Sequence, residues 1–214
     1  MAQNNRNYQK EMEKIVGEFS GEKKTLLLHS CCAPCSSAVL EKLQEIFEIT
    51  VFFYNPNISL DAEYQKRIEE QRRLIEEFCK KKPSHPIRII EGEYQPQEFY
   101  AVAKGLETCP EGGERCFGCY RLRLEKTAKE AKMGGYDFFT TTLTISPLKN
   151  AVKLNEIGEE LAETYGCRFL PSDFKKKEGY KRSIELSKEY ELYRQDFCGC
   201  IYSKEESRKK IKEK

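Results

Sequence analysis

The sequence predicts an α/β fold: a five-stranded parallel sheet with flanking helices and a helical C-terminal cap. Three observations predict it. Short apolar runs alternate with longer stretches of helical periodicity, the signature of a wound parallel sheet. Those runs show little in/out alternation, as strands buried on both faces do. At 214 residues and 39% apolar, the chain is long enough for one full α/β domain, or a domain with a small appendage. It is too apolar for wholesale disorder.

Taken in order, strands are expected at Thr25–Leu28, Ile49–Tyr54, Ile87–Glu91, Tyr136–Leu143 and Cys167–Pro171. Between the first two, Ser36–Phe47 carries Val39, Leu40, Leu43, Ile46 and Phe47 at helical spacing, with Ser36 or Ser37 as a natural N-cap. Asp61–Lys82 is a long amphipathic helix with Ile68, Leu74, Ile75 and Phe78 inward. Cys119–Met133 places Tyr120, Leu124, Ala128 and Ala131 on one stripe and stops at Gly134-Gly135. Asn150–Tyr165 uses Leu154, Ile157, Leu161 and Tyr165. The expected organisation is an N-terminal helical extension over 1–20, the sheet domain over 21–174, and a strand-poor helical segment over 175–214 that caps the sheet.

Composition narrows the function. A formal charge of +2, from 37 basic and 35 acidic residues, excludes a globally basic nucleic-acid coat protein. The charge is uneven: residues 175–214 hold 13 basic and 8 acidic side chains, net +5, leaving −3 for the rest. No apolar run approaches the roughly 18 residues of a membrane helix. The polar N-terminus lacks a signal peptide's apolar stretch. A cytoplasmic, reducing setting without membrane attachment is therefore expected, where ten cysteines point to metal binding or thiol chemistry rather than a disulfide framework.

Ligands of open parallel sheets sit beyond the carboxyl ends of the strands, and the cysteine motifs fall there. The first is His29-Ser30-Cys31-Cys32-Ala33-Pro34-Cys35-Ser36, where a strand ends, three thiols crowd together and a helix begins. A helix start offers unpaired N–H groups and positive potential, which favour thiolate, the metal-binding form. The second, Cys116-Phe117-Gly118-Cys119, opens a helix and is either a redox pair or half of a metal site. With the first it supplies a Cys₄ set suited to zinc or an iron–sulfur cluster.

The third motif is Cys198-Gly199-Cys200. Its α-carbons would lie roughly 6.6 Å apart on an extended chain, and the glycine lets the chain close that gap. Such a disulfide would be strained and easily reduced, as catalytic ones are; alternatively the two thiols complete a metal site. The spacing favours redox use. Seven motif thiols exceed what a structural zinc site uses, which suggests electron chemistry. Beside them, His29 at the strand end could donate a proton or be a hydrogen-bonded structural histidine. Asp173, past the fifth expected strand, could act as acid or ligand or simply cap a helix. Tyr54-Asn55-Pro56-Asn57 and Thr140–Pro147 are polar strand-end loops that would help line a site.

At these residues the chain resembles the cobalamin-independent epoxyqueuosine reductases, the QueH family. The resemblance rests on Leu27–Ser36, Tyr54–Ile58 with Glu63-Tyr64, Arg115–Leu124, Phe139–Leu143 with Ser146-Pro147, Asp173-Phe174, and Tyr193-Arg194-Gln195 with Phe197–Tyr202. It implies the last step of queuosine synthesis, reduction of epoxyqueuosine to queuosine within the anticodon loop of tRNA. It also implies that Cys31, Cys32, Cys116 and Cys119 bind a [4Fe–4S] cluster, and that Cys198 and Cys200 form a redox-active disulfide. A further mononuclear iron near the cluster, involving Cys35 or Asp173, is consistent with the family.

The implied fold is the adenine-nucleotide α-hydrolase type. Cysteines replace the phosphate loop that often follows its first strand, which argues against ATP use. Turning an epoxide into an alkene needs two electrons and two protons; a dithiol supplies the electrons, and His29 or Asp173 would deliver protons. The expected partners are tRNA and an electron donor that the sequence does not identify. Lys175, Lys176 and Lys177, with Tyr180, Tyr190, Tyr193 and Tyr202, are the expected footing for RNA. Two rivals differ in class: an ATP-dependent tRNA sulfur transferase, and a non-enzymatic zinc module that binds RNA.

Overall fold

In the computed structural model, which describes residues 6–212, helix α1 (Tyr8–Gly17) precedes the sheet and sends Met12 into the core. Residues 1–5 and 213–214 of the two expected terminal segments lie outside the described residues. The chain then alternates through β1 (Lys24–His29), α2 (Ala33–Leu43), β2 (Phe47–Phe53), α3 (Asp61–Lys81), β3 (Arg88–Glu91), α4 (Pro96–Ala103), α5 (Glu114–Met133) and β4 (Phe138–Thr141). Helices α6 (Ala151–Tyr165), α7 (Gly179–Glu189) and α8 (Ile201–Lys212) complete it. Among the described residues no helix is long and apolar enough to cross a membrane.

All strand pairs are parallel, in the order β3-β2-β1-β4. The chain steps outward from β1 to β3, then returns to place β4 on the other side of β1. The direction reverses between β1 and β4, where His29 pairs with Thr141 at the carboxyl ends, and this is where such sheets open a crevice.

Both faces of the sheet are buried along most of β1, β2 and β4, which is why those strands lack polar alternation, whereas the edge strand β3 is partly exposed. Leu26, Leu28, Ile49, Val51 and Phe138 pack with Val39, Leu40, Leu43, Leu74, Phe78 and Leu186 of α2, α3 and α7. Leu27, Phe52 and Phe139 face the opposite side, against Leu124 and Ala128 of α5 and Leu154, Ile157 and Leu161 of α6. Each fully buried leucine contributes on the order of 1.5–3 kcal/mol, so the two layers dominate the fold's stability.

Three expectations need correction. The sheet has four strands, not five. The segment Cys167–Pro171 runs beside β4 but meets it at one bridge, Phe139 to Phe169, held by Phe139 N to Arg168 O and Leu170 N to Phe139 O, both 2.9 Å. Side chains divert the next ladder bonds: Thr140 Oγ1 donates to Leu170 O at 2.8 Å, and Ser172 N donates to Asn155 Oδ1 at 2.8 Å. A helix also presses on this segment, since a Cβ at Gly158 of α6 would sit 2.4 Å from the Phe169 ring.

Helix α2 starts before the serines expected to cap it. Its N-cap is Cys32, in extended conformation, because Pro34 needs no amide partner in a first helical turn. Strand β4 stops at Thr141 rather than Leu143. The Thr141 hydroxyl accepts from Leu143 N at 3.1 Å and curls Thr142–Ile145 into a 3-10 turn.

Candidate functional site

The loop after β1 is held from beneath by buried polar groups. Ser30 N continues the ladder to Phe52 O at 2.9 Å, and Ser30 O accepts from Asn55 Nδ2 at 2.9 Å. Gln71 Oε1 of α3 accepts from the hydroxyls of Ser30 at 2.7 Å and Ser36 at 2.9 Å, tying the loop to the first turn of α2. Adjacent side chains on an extended chain would point to opposite faces, but the chain bends at Cys31 as it leaves β1. The sulfurs of Cys31, Cys32 and Cys35 consequently lie within 4.8 Å of one another.

These three thiols share their charge unequally. Cys31 falls well below the ordinary thiol range because the Cys32 and Cys35 thiols hydrogen-bond to it, with Arg123 and Lys149 adding positive potential. The same bonds, with burial, push Cys32 up to about 12 and Cys35 well above its usual value. Three converging sulfurs, the Cys31 thiol biased towards its thiolate form, make a donor set that could hold a metal.

Cys116 and Cys119 stand on the first turns of α5. Cys116 Sγ accepts from Gly112 N at 3.2 Å. Burial pushes both thiols up, Cys119 to about 11. They line a narrow cavity of about 10 Å³ together with Asn57, Cys198 and Cys200. A larger cavity of about 160 Å³ adjoins it, with Cys31, Cys35, Tyr180 and Gln195 on its wall. Arg123, Lys149 and Cys198 belong to both walls, so all three cysteine motifs meet at one end of the sheet.

The Cys198–Cys200 segment is clamped by helix α3 and the loop after β2. Arg67 donates from Nη1 to Cys198 O at 3.0 Å and from Nη2 to Phe197 O at 3.3 Å, while its Nε pairs with Glu63 at 2.7 Å. Ser59 N donates to Gly199 O at 3.0 Å. Gly199 has φ +123°, and a Cβ there would lie 2.9 Å from Ile58 Cγ1, so only glycine fits. Both thiols are unbonded. Burial, then the nearby Cys198 sulfur, push Cys200 up to about 12.

His29 and Asp173 line neither cavity. The His29 imidazole is fully buried, with Nδ1 2.8 Å from Thr141 Oγ1 and Nε2 3.3 Å from Arg123 Nε. Burial, then the Arg123 charge, lower it to about 3, so it is neutral at physiological pH. The Asp173 carboxylate pairs with Lys175 at 2.8 Å. The polar loops do line the site: Asn57 Nδ2 reaches Cys198 Sγ at 3.9 Å, and Thr142 Oγ1 accepts from Cys31 N at 3.4 Å.

Four further side chains reach the site without a role assigned from sequence. Arg123 follows Cys119 by one helical turn and could have been found from that spacing, as Arg67 could from its i+4 relation to Glu63. Lys149 carries no local signal, and Gln195, whose Nε2 donates to Cys32 Sγ at 2.9 Å, stands in a stretch that carries the resemblance but was given no role from it. The expected tyrosine platform also shrinks. Tyr190 stacks on Phe78, Tyr193 bonds Glu63, and Tyr202 lies beneath Arg115, which leaves Tyr180 exposed on the wall of the larger cavity.

Comparison with known proteins shows what the chain is similar to. A family model described as epoxyqueuosine reductase QueH matches residues 26–206. The chain is 44% identical to the epoxyqueuosine reductase QueH of Staphylococcus epidermidis, over 92% of this chain and 84% of that protein. It is 42% identical to that of Streptococcus pyogenes serotype M1, over 92% and 78%, and 37% identical to that of Thermotoga maritima, over 87% and 93%.

Proposed function

The chain belongs to the epoxyqueuosine reductase QueH family, and from that premise we propose that it reduces the epoxide of epoxyqueuosine, carried in tRNA, to the alkene of queuosine. The observation that carries the reading is the meeting of three cysteine motifs where the sheet's strand order reverses. That strand order, with the Cys167–Pro171 segment beside β4, supports an adenine-nucleotide α-hydrolase-type architecture. Ten unbonded thiols suit a reducing cytoplasm.

The donor set fits an iron–sulfur cofactor. Three sulfurs already lie within 4.8 Å of one another, and Cys116 and Cys119 line the adjoining cavity. In this reading Cys31, Cys32, Cys116 and Cys119 hold a [4Fe–4S] cluster, and Cys35 is the sulfur left for an additional mononuclear iron. When bound, such a group supplies electron transfer and Lewis acidity.

The chain's own residues balance the reaction. Cys198 and Cys200 give two electrons and two protons as they form a disulfide, the epoxide loses both C–O bonds to its oxygen, and that oxygen leaves as water. An electron donor outside the chain then restores the thiols. Because the thiol protons balance the water, His29 and Asp173 need not be acids. His29 instead braces Arg123 as a neutral partner.

The test is an anaerobic preparation assayed for iron, acid-labile sulfide and visible absorption, together with epoxide reduction in substrate tRNA. Iron and sulfide with product formation are expected. Zinc at unit stoichiometry without sulfide would overturn the cofactor assignment.

The RNA footing makes a second prediction. Lys175, Lys176 and Lys177 precede α7, whose second residue, Tyr180, lies on the wall of the larger cavity. Neutralising all three lysines should weaken tRNA binding roughly tenfold or more at low salt and flatten its salt dependence by two to three phosphate contacts, at about one unit of log–log slope each. Unchanged binding, read by filter or gel assay across a salt series, places the footprint elsewhere.

A further inference from the structure

Lys149 is a cation that the reaction above leaves without a role. It lies in the loop between the 3-10 turn and α6, and its ammonium turns inward to donate to Cys198 Sγ at 3.4 Å. Among the described residues it joins no ion pair: Glu111 and Asp196 share the larger cavity's wall, but Glu111 accepts from Ser203 Oγ and Asp196 is exposed. Burial alone would favour the neutral amine, yet the surrounding sulfurs and Tyr120 more than reverse this and keep Lys149 charged. A cation drawn in towards sulfur without a carboxylate is costly unless it serves that sulfur.

The two sulfurs of the pair are not equivalent. Cys200 is buried against Phe99, Ala103 and Cys119, and its Sγ accepts from Ser203 N at 3.3 Å. Cys198 stands on the wall of both cavities. Its backbone is pinned on either side of the sulfur, by Ser203 Oγ accepting from its N–H at 3.0 Å and by Arg67 at its carbonyl. With the main chain fixed, the Lys149 ammonium sets the direction of the side chain.

We propose that Lys149 makes Cys198 the reacting sulfur of the pair, the one that meets the substrate, with Cys200 closing the disulfide behind it; the assignment rests on the reductase reading. An ammonium hydrogen bond stabilises the negative charge that gathers on sulfur as its S–H bond breaks. The electron balance is unchanged: two thiols become one disulfide, the oxygen leaves as water, and Lys149 ends with the protons it began with.

The test exposes the reduced full chain to limiting iodoacetamide under anaerobic conditions and locates the label by fragment-ion mass spectrometry. Cys198 should label roughly tenfold faster than Cys200. Lys149→Met should slow labelling of Cys198 by about tenfold without altering Cys200, and Lys149→Arg should restore most of the rate. Equal labelling of the two sulfurs in the unaltered chain, or an unchanged Cys198 rate in Lys149→Met, overturns the proposal. Should Lys149→Met fail to fold by thermal melt, Lys149→Gln replaces it, and the comparison of the two sulfurs needs no variant. The expected labelling in a chain that reduces no epoxyqueuosine would overturn the reductase reading alone, whereas active protein without it overturns only the role of Lys149.

Discussion

Serine at Cys198 or at Cys200 should abolish epoxide reduction, by at least about 10³-fold in turnover, while bound iron and sulfide stay at the level of the unaltered chain. The two electrons leave as an S–S bond forms, and an alcohol oxygen cannot take a thiol's place in that bond. Neither cysteine belongs to the set assigned to the cluster, and neither is among the three sulfurs within 4.8 Å of one another, so the cofactor should persist. Chemical quench after one turnover, without added reductant, should show Cys198 and Cys200 newly disulfide-bonded in the unaltered chain. Both recovered as free thiols beside formed queuosine would refute the assignment.

Arg67→Met should destabilise the fold by about 3–5 kcal/mol, the range for breaking a buried ion pair from one side. The guanidinium is 2% exposed. It pairs with Glu63, itself only 12% exposed, and donates to the carbonyls of Phe197 and Cys198. Methionine fills the volume but leaves a carboxylate whose remaining partner is the Tyr193 hydroxyl, at 3.0 Å, and two carbonyls without that donor. Arg67→Lys should fall between, keeping the charge but losing the fork that serves three acceptors. Urea unfolding followed by circular dichroism reads the difference; a loss under about 1 kcal/mol would show that α3 does not anchor the thiol segment.

Much of the candidate site was legible because its signals are local. Cys31, Cys32 and Cys35 crowd a strand end and a helix start, and Cys116 and Cys119 open a helix; both patterns are complete within a few residues. Asn57 and Thr142 were placed correctly as lining groups because loops that follow strands on a parallel sheet share one end of it. His29 and Asp173, by contrast, line neither cavity. His29 is buried beneath Arg123, which arrives from α5, whereas Asp173 follows a segment that forms no strand and pairs with Lys175 only two residues on.

Helix α4 was missed because its apolar face is short, Phe99 and Ala103 alone being buried, and an eight-residue helix gives little periodicity. The fifth strand was over-read. Its apolar run is real and buried, but ladder bonds need free partners, and Thr140 and Asn155 take them first.

By itself the sequence determined the alternation of strand and helix, the burial of both sheet faces and the cysteine groups, since each follows from residue types a few positions apart. Only the tertiary structure decided that β4 lies beside β1, that the three cysteine motifs meet, and that Arg67, Arg123 and Lys149 reach them. Strand order and the partners of buried cations depend on which surfaces exclude water together, across separations of up to 131 residues between Arg67 and Cys198, and no local pattern carries that choice.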